Sequence, residues 1–197
     1  MDARVERAMA RWPDVPAAYG WLSLDRRGRW RLDGGIVRNR ATREAINRNY
    51  AVDERGCWYY QNGPQKTFAA LEYTPWVYVL DGHQRLHTHT ERAVGAVESV
   101  WIDEEMAVLL LTEHGIGVVS DQDVEVLLDR FCDSTSRLLD ADDVEHRLTE
   151  STLADPQLFL DWTGLVLIQR IARATAASRF GFNPQPAAMS SATREPT

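Results

Sequence analysis

The sequence predicts an α+β protein of repeated β-hairpin and helix units with mainly antiparallel sheet, and two observations carry that expectation. Residues 21–46 and 49–74 match at a fixed offset of 28 residues, which superposes Asp25 on Asp53, Arg27 on Arg55, Gly28 on Gly56, Trp30 on Trp58, Gly35 on Gly63 and Glu44 on Glu72. Matches at one offset point to a duplicated supersecondary unit. Short runs of aromatic and β-branched residues, separated by Gly and Pro turns, then alternate with helix-like stretches along the chain. Duplication informs architecture and leaves the chemistry open.

Taken in order, residues 1–12 read as a short amphipathic helix through Val5, Met9 and Trp12, ended by Pro13 and Pro16. In the first copy Trp21–Asp25 and Trp30–Leu32 are strands about the Arg27-Gly28 turn, and Gly34-Gly35 precede a helix from Thr42 to Asn49. In the second copy Tyr50–Asp53 and Cys57–Gln61 flank Arg55-Gly56, and Asn62-Gly63-Pro64 makes another reversal. Its final segment, Ala69–Thr74, lies among Phe68, Tyr73, Trp76, Val77 and Tyr78 with Pro75 following, so extended strands are expected instead of a helix.

Trp76–Leu80 and Arg85–His89 form a hairpin around Asp81-Gly82, and Ser99–Ile102 is a further strand. A third, degraded copy follows, with residues 103–106 as its turn, Ala107–Leu111 and Gly117–Val119 as strands, and a helix capped by Ser120 or Asp121 with Val124, Leu127, Leu128 and Phe131 on its apolar face. Met106 stands where the turn glycine belongs, which predicts a different loop geometry there. Asp142–Leu148 reads as a short helix started by Asp142. Leu158–Trp162 and Leu165–Ile168 about Thr163-Gly164 suggest a hairpin, although Leu165–Ala176 fits an apolar-faced helix equally, so helix or hairpin stays open over 158–176. The division expected is an N-terminal repeat region over 1–80, an α+β region over 81–183 and a flexible tail over 184–197.

A chain of 197 residues with 44% hydrophobic and 26% charged residues is long enough to bury a substantial core without staples. The two cysteines, Cys57 and Cys132, lie far apart in no ligand spacing, which favours a reducing compartment and a cytoplasmic location. The N-terminal residues contain no apolar run of signal-peptide length, and no segment approaches the ~18 apolar residues of a membrane helix. A net charge of -7 opposes binding to nucleic acid phosphates. The charge is uneven: Arg26, Arg27, Arg29, Arg31, Arg38, Arg40, Arg43 and Arg48 crowd the first copy, whereas Asp121 to Asp155 is strongly acidic. Solvated faces explain both runs, and a small anionic ligand or an acidic protein on the arginines is the functional alternative.

The strings WPDVPAAYGWLSLDRRG, GCWYYQNGPQ, LEYTPWV, LDWTG and SRFGF resemble a proteobacterial family of uncharacterised proteins over most of residues 12–183. Over about residues 21–131 the chain is similar, more weakly, to another bacterial family of unknown function. Its known structures have repeated α+β motifs, a part like a pleckstrin-homology barrel and a suggested signalling role. The resemblance implies that Gly28 and Gly56 fill turn positions and Trp30 and Trp58 the aromatic strand positions after them; no catalytic residue or cofactor comes with it.

The candidate chemistry is sparse. In GHQRLHTHTE, period-two alternation on a strand projects His87, His89 and Glu91 from one face, a donor set suited to zinc or another divalent ion, with His83 nearby. The competing reading puts these histidines on the wet face of a hairpin with Leu86 inside, and His114 in a turn. Trp30, Trp58, Tyr59, Tyr60, Trp76, Tyr78 and Trp101 either line an aromatic cleft or pack the core. Ser120, Ser134, Ser136, Cys57 and Cys132 stand in no nucleophile context. The functional expectation is therefore a cytoplasmic binding or signalling-associated module, with a metal-dependent enzyme using His87, His89 and Glu91 as the alternative.

Overall fold

The computed structural model describes residues 2–150 and 157–188; of the expected tail, residues 189–197 lie outside the described residues. The first half comprises α1 (Ala3–Arg11), β1 (Ala18–Leu24), β2 (Trp30–Leu32), β3 (Gly35–Ile36), α2 (Arg40–Arg48), β4 (Tyr50–Val52), β5 (Trp58–Asn62) and β6 (Gln65–Leu71). Its strands form a six-stranded sheet ordered β3-β2-β1-β6-β5-β4, antiparallel except where β1 runs parallel to β6. Asn39 starts α2 by accepting the Thr42 N–H, a cap that satisfies one of the orphan donors of the first turn.

The remainder comprises β7 (Trp76–Leu80), β8 (Leu86–Thr88), β9 (Val97–Ile102), β10 (Val108–Thr112), β11 (Gly115–Val119), α3 (Val124–Leu128), β12 (Phe131–Cys132), α4 (Ala141–Glu150), β13 (Phe159–Asp161), β14 (Leu165–Arg170) and α5 (Arg173–Phe180). These strands form an eight-stranded sheet ordered β12-β13-β14-β9-β10-β11-β7-β8, so sheet membership changes between β6 and β7. The fold is α+β with mostly antiparallel pairing, as the sequence predicts. Over 158–176 the hairpin is realised through β13 and β14, and a helix begins only at Arg173.

Two expected helices are corrected. The helix after β11 is confined to Val124–Leu128, and Phe131 lies in β12, paired with Leu160 of β13. The start of α4 is set by Asp140 rather than Asp142: its side chain accepts the Asp143 N–H at 2.8 Å and its carbonyl accepts the Val144 N–H at 3.0 Å.

One apolar cluster joins Leu22, Leu24, Trp30, Ile46 and Leu71 of the first sheet region to Val77, Val100, Leu109, Val118, Phe131, Leu160 and Ile168 of the second. A smaller cluster of Cys57, Tyr59 and Phe68 takes Tyr19 and Ala51 against it. Residues beyond α5 return to the first sheet, where the Leu71 N–H donates to the Pro184 carbonyl and the Asn183 N–H to Gly56.

The most regular local feature is a hairpin turn that recurs at Asp25, Asp53, Asp81, Asp103 and Asp133. Each Asp N–H donates to the carbonyl four residues on at 3.0–3.1 Å, and each Asp carbonyl accepts from the N–H three residues on at 2.8–3.1 Å. In each, Oδ1 accepts from the N–H groups two and four residues further along. The residue three positions on is left-handed in every case: Gly28 (φ 74°), Gly56 (73°), Gln84 (57°), Met106 (63°) and Ser136 (64°). Met106 therefore does not change the loop geometry, contrary to expectation. The carboxylate clamps the backbone strongly enough to hold a side-chain-bearing residue in a region that costs it roughly 1–2 kcal/mol. Thr88 builds the same plan with a hydroxyl, accepting the Arg92 N–H at 3.1 Å and setting Glu91 at φ 68°.

Candidate functional site

The Thr88 turn decides the fate of the histidine string. β8 ends at Thr88, so His89 and Glu91 belong to the turn and do not continue the alternation of His87. His87 places Nε2 3.2 Å from Asp81 Oδ2, and Glu91 is exposed. The His89 ring is enclosed by Trp30, Tyr50 and Trp76 at centroid distances of 5.2, 5.7 and 5.6 Å. Its Nδ1 accepts the Val77 N–H at 3.2 Å, while Nε2 is buried without a partner. Burial, and then the charge of Arg92, hold its pKa down at about 3, so the ring is neutral. His83 is exposed in the Asp81 turn, and His114 bonds the Ala93 carbonyl through Nε2 at 2.8 Å. The structure does not bring His87, His89 and Glu91 together, and among the described residues no three His, Cys, Asp or Glu side chains are grouped to hold a metal ion.

The aromatic residues pack the interior. Trp30 is 1% exposed, its ring lies 4.9 Å from that of Tyr50, and Tyr50 lies 4.7 Å from Trp58, so the two matched tryptophans flank one tyrosine. Trp101 packs on Phe180 at 4.9 Å, and the Tyr78 hydroxyl is bonded to Thr112 and Gly115.

The arginines of the first copy are mostly engaged. Asp25 Oδ2 accepts from Arg29 at 2.8 Å and Arg31 at 3.2 Å, Arg27 pairs with Asp121 at 2.7 Å, and Arg26 reaches Glu105 at 3.3 Å. They line a cleft of about 390 Å³ together with Glu72. On the exposed side Arg40 pairs with Glu44, whereas Arg38 and Arg43 have no ion-pair partner among the described residues.

A well-formed cavity lies elsewhere, where α3 and α4 cover the ends of β9 and β14. This cavity holds about 740 Å³, within the roughly 300–1,000 Å³ range of small-molecule sites. Helical spacing explains one wall: Ala141, Val144, Glu145 and Leu148 recur at three and four residues along α4 and so share a face. Leu128 and Leu139 extend the apolar floor, and Met106, left-handed and 49% exposed, overhangs it. Among the described residues the charged lining is one-sided, with Asp103, Glu104, Glu125, Asp129, Asp140 and Glu145 against Arg170.

Asp103 differs from the other lining acids because it is 2% exposed. Its Oδ1 is taken by the turn N–H groups of Glu105 and Ala107, while Oδ2 is buried. The buried Tyr73 hydroxyl faces this carboxylate; burial first, and then its hydrogen bond to Asp103, push its pKa well above the ordinary phenol value. Glu104 accepts the Arg173 N–H at 2.9 Å, which holds its carboxyl below the usual range. An apolar floor under carboxylates suits an organic cation with a hydrocarbon body, because burial favours the body and the acids favour the charge. The acidic run after Asp121 is visible in the sequence as a solvated face, whereas its closure onto Asp103, Glu104 and Arg170 has no local signal.

Fold and cavity together define a two-sheet α+β protein with an acid-rimmed apolar pocket. The chain belongs to the DUF2944 family, whose model, described as "Protein of unknown function (DUF2946)", matches residues 1–187. No curated protein matches the chain. Among solved structures it is similar to a DUF1285 family protein from Silicibacter pomeroyi DSS-3, with 14% identity, a TM-score of 0.47, and coverage of 67% of this chain and 87% of that one. It is also similar to a DUF1285 family protein from Shewanella baltica OS155, with 13% identity, a TM-score of 0.41, and coverage of 54% and 88% respectively. No helix among the described residues is long and apolar enough to cross a membrane.

Proposed function

We propose that this protein is a binding module for small organic cations with an apolar body, acting in the cytoplasm in a signalling-associated role. The observation that carries the reading is the lining of the 740 Å³ cavity: an apolar floor from α3 and α4 ringed by six carboxylates and one arginine. Two buried, unpaired cysteines support a reducing compartment. Calorimetric titration with octyltrimethylammonium and octanoate, which share the hydrocarbon and differ in charge, tests it. The cation is expected to bind, more weakly as salt is raised and in the Glu125→Gln/Glu145→Gln double variant. Equal binding of octanoate, or binding of neither, removes the reading.

Arg38 and Arg43, without an ion-pair partner among the described residues, favour a second reading, an acidic protein partner on the exposed side of α2. It predicts association that weakens with salt and with replacement of Arg38, Arg40 and Arg43 by Gln; salt-independent affinity counts against it.

A further inference from the structure

The helix α1 is tied to the rest of the molecule by polar contacts at its two ends. Before it, the Asp2 N–H donates to Asn49 Oδ1 at 2.8 Å and the Asp2 carboxylate pairs with Arg48 at 3.4 Å; after it, Gln65 donates to the Pro16 carbonyl at 3.0 Å. Between these contacts no residue of α1 is buried. Val5, Ala8 and Met9 are half-buried, and a cleft of about 400 Å³, lined by Met9, Trp12 and Pro13 and by Gln61, Pro64 and Lys66 of the β5–β6 hairpin, leaves this face unpacked. Trp12 stands 52% exposed at the end of the helix. No residue of α1 belongs to either apolar cluster, so the helix can roll outward on its end contacts without opening the core.

Spacing sorts the helix into two stripes. Val5, Ala8, Met9 and Trp12 recur at three and four residues and form an apolar one; Arg4, Arg7 and Arg11 recur in the same way and form a basic one beside it. All three arginines are exposed and have no ion-pair partner among the described residues, and Glu6 is the single acid of the helix. The chain as a whole carries a charge of -7, so α1 is positive against the sign of the molecule. A helix of low overall hydrophobicity, with arginines along one side and a tryptophan on the other, suits the boundary between water and lipid. There the indole settles among the headgroups, and the arginine stems lie along the apolar surface while their guanidiniums reach anionic headgroups. A groove on another protein would cover the apolar stripe but gives no reason for three unpaired arginines beside it. We propose that α1 is a membrane-surface anchor, which lays Val5, Met9 and Trp12 into the headgroup layer of an anionic bilayer and pairs Arg4, Arg7 and Arg11 with its lipids. The attachment is peripheral and reversible, because one short helix buries little apolar area. It is independent of the cavity beside α4.

The test is sedimentation of the full chain with vesicles of phosphatidylcholine alone and of phosphatidylcholine mixed with phosphatidylglycerol. Binding to the mixed vesicles is expected to exceed binding to the neutral ones by at least about tenfold, since each arginine near an anionic surface strengthens attachment about fivefold. It should weaken as salt is raised. The Arg4→Gln/Arg7→Gln/Arg11→Gln variant should lose the difference between the two vesicles, whereas Arg38→Gln/Arg43→Gln beside α2 should keep it. Because Trp12 enters the headgroup layer, the mixed vesicles should shift the tryptophan emission to shorter wavelength. Trp12→Phe should lose most of that shift, and Trp21→Phe, at an exposed tryptophan of β1, should retain it. Equal binding to both vesicles, or an undiminished difference in the α1 triple variant, overturns the proposal. So does binding to neither vesicle, the outcome expected if α1 docks in an acidic protein groove instead. Should the triple variant not fold, the wild-type vesicle pair and the two tryptophan variants still decide.

Discussion

His89 shows how far a residue's neighbours set its chemistry. A histidine in a string of polar residues reads as a ligand or a wet surface group, yet the Thr88 turn aims its ring at Trp30, Tyr50 and Trp76, and Gly28 closes on it from the other side. A β-carbon on Gly28 would stand 2.6 Å from that of His89, so the turn glycine is required by packing as well as by its φ of 74°. The pKa of His89 falls to about 3 in the folded protein from an unfolded value of 6.5. The unfolded chain therefore binds the proton first as pH falls, and the stability this group contributes is present above pH 6.5 and is lost from there down towards pH 3. Between pH 7 and 5.5 the wild-type protein should lose about 1 kcal/mol more than His89→Gln, measured by urea unfolding at each pH. Parallel stability profiles for the two proteins would show that the ring is not held neutral.

At the level of single elements, the aspartate turns and the helix starts repay attention because they are fixed over five residues or fewer. Asp25 and Asp53 were legible through the spacing of 28 residues, but the same spacing continues to Asp81, where Gln84 takes the left-handed position and Gly82 draws the eye to the wrong residue. The residue common to all five turns is the aspartate rather than the glycine, with an arginine two or four positions later in four of them. The start of α4 follows the same logic: local pattern points to Asp142, and geometry selects Asp140. Asp140→Ala should lower stability by about 1 kcal/mol and loosen the α4 wall of the cavity. Thermal unfolding checks the first effect and octyltrimethylammonium titration the second; a variant unchanged in both would remove Asp140 from that role.

Across the whole molecule, the two sheets share one apolar cluster, in which Trp30 and Leu24 belong to the same packed body as Val100 and Leu160. Ion pairs add a polar seam between them through Arg26 with Glu105 and Arg27 with Asp121, but these are exposed enough to contribute little individually. The shared core makes the sheets unfold together. Tryptophan fluorescence and far-ultraviolet circular dichroism should therefore report one coincident urea transition, and separated midpoints would assign each sheet its own stability. What the amino-acid sequence determined by itself is the alternation of short strands, turns and helices, because an aspartate clamping its own hairpin or an asparagine capping its own helix acts within a few residues. The parallel meetings of β1 with β6 and β14 with β9, the enclosure of His89, and the gathering of Asp103, Glu125, Glu145 and Arg170 about one cavity were decided only by tertiary structure. Those contacts join residues tens of positions apart, where burial and sheet pairing select the partners and local pattern carries no record of the choice.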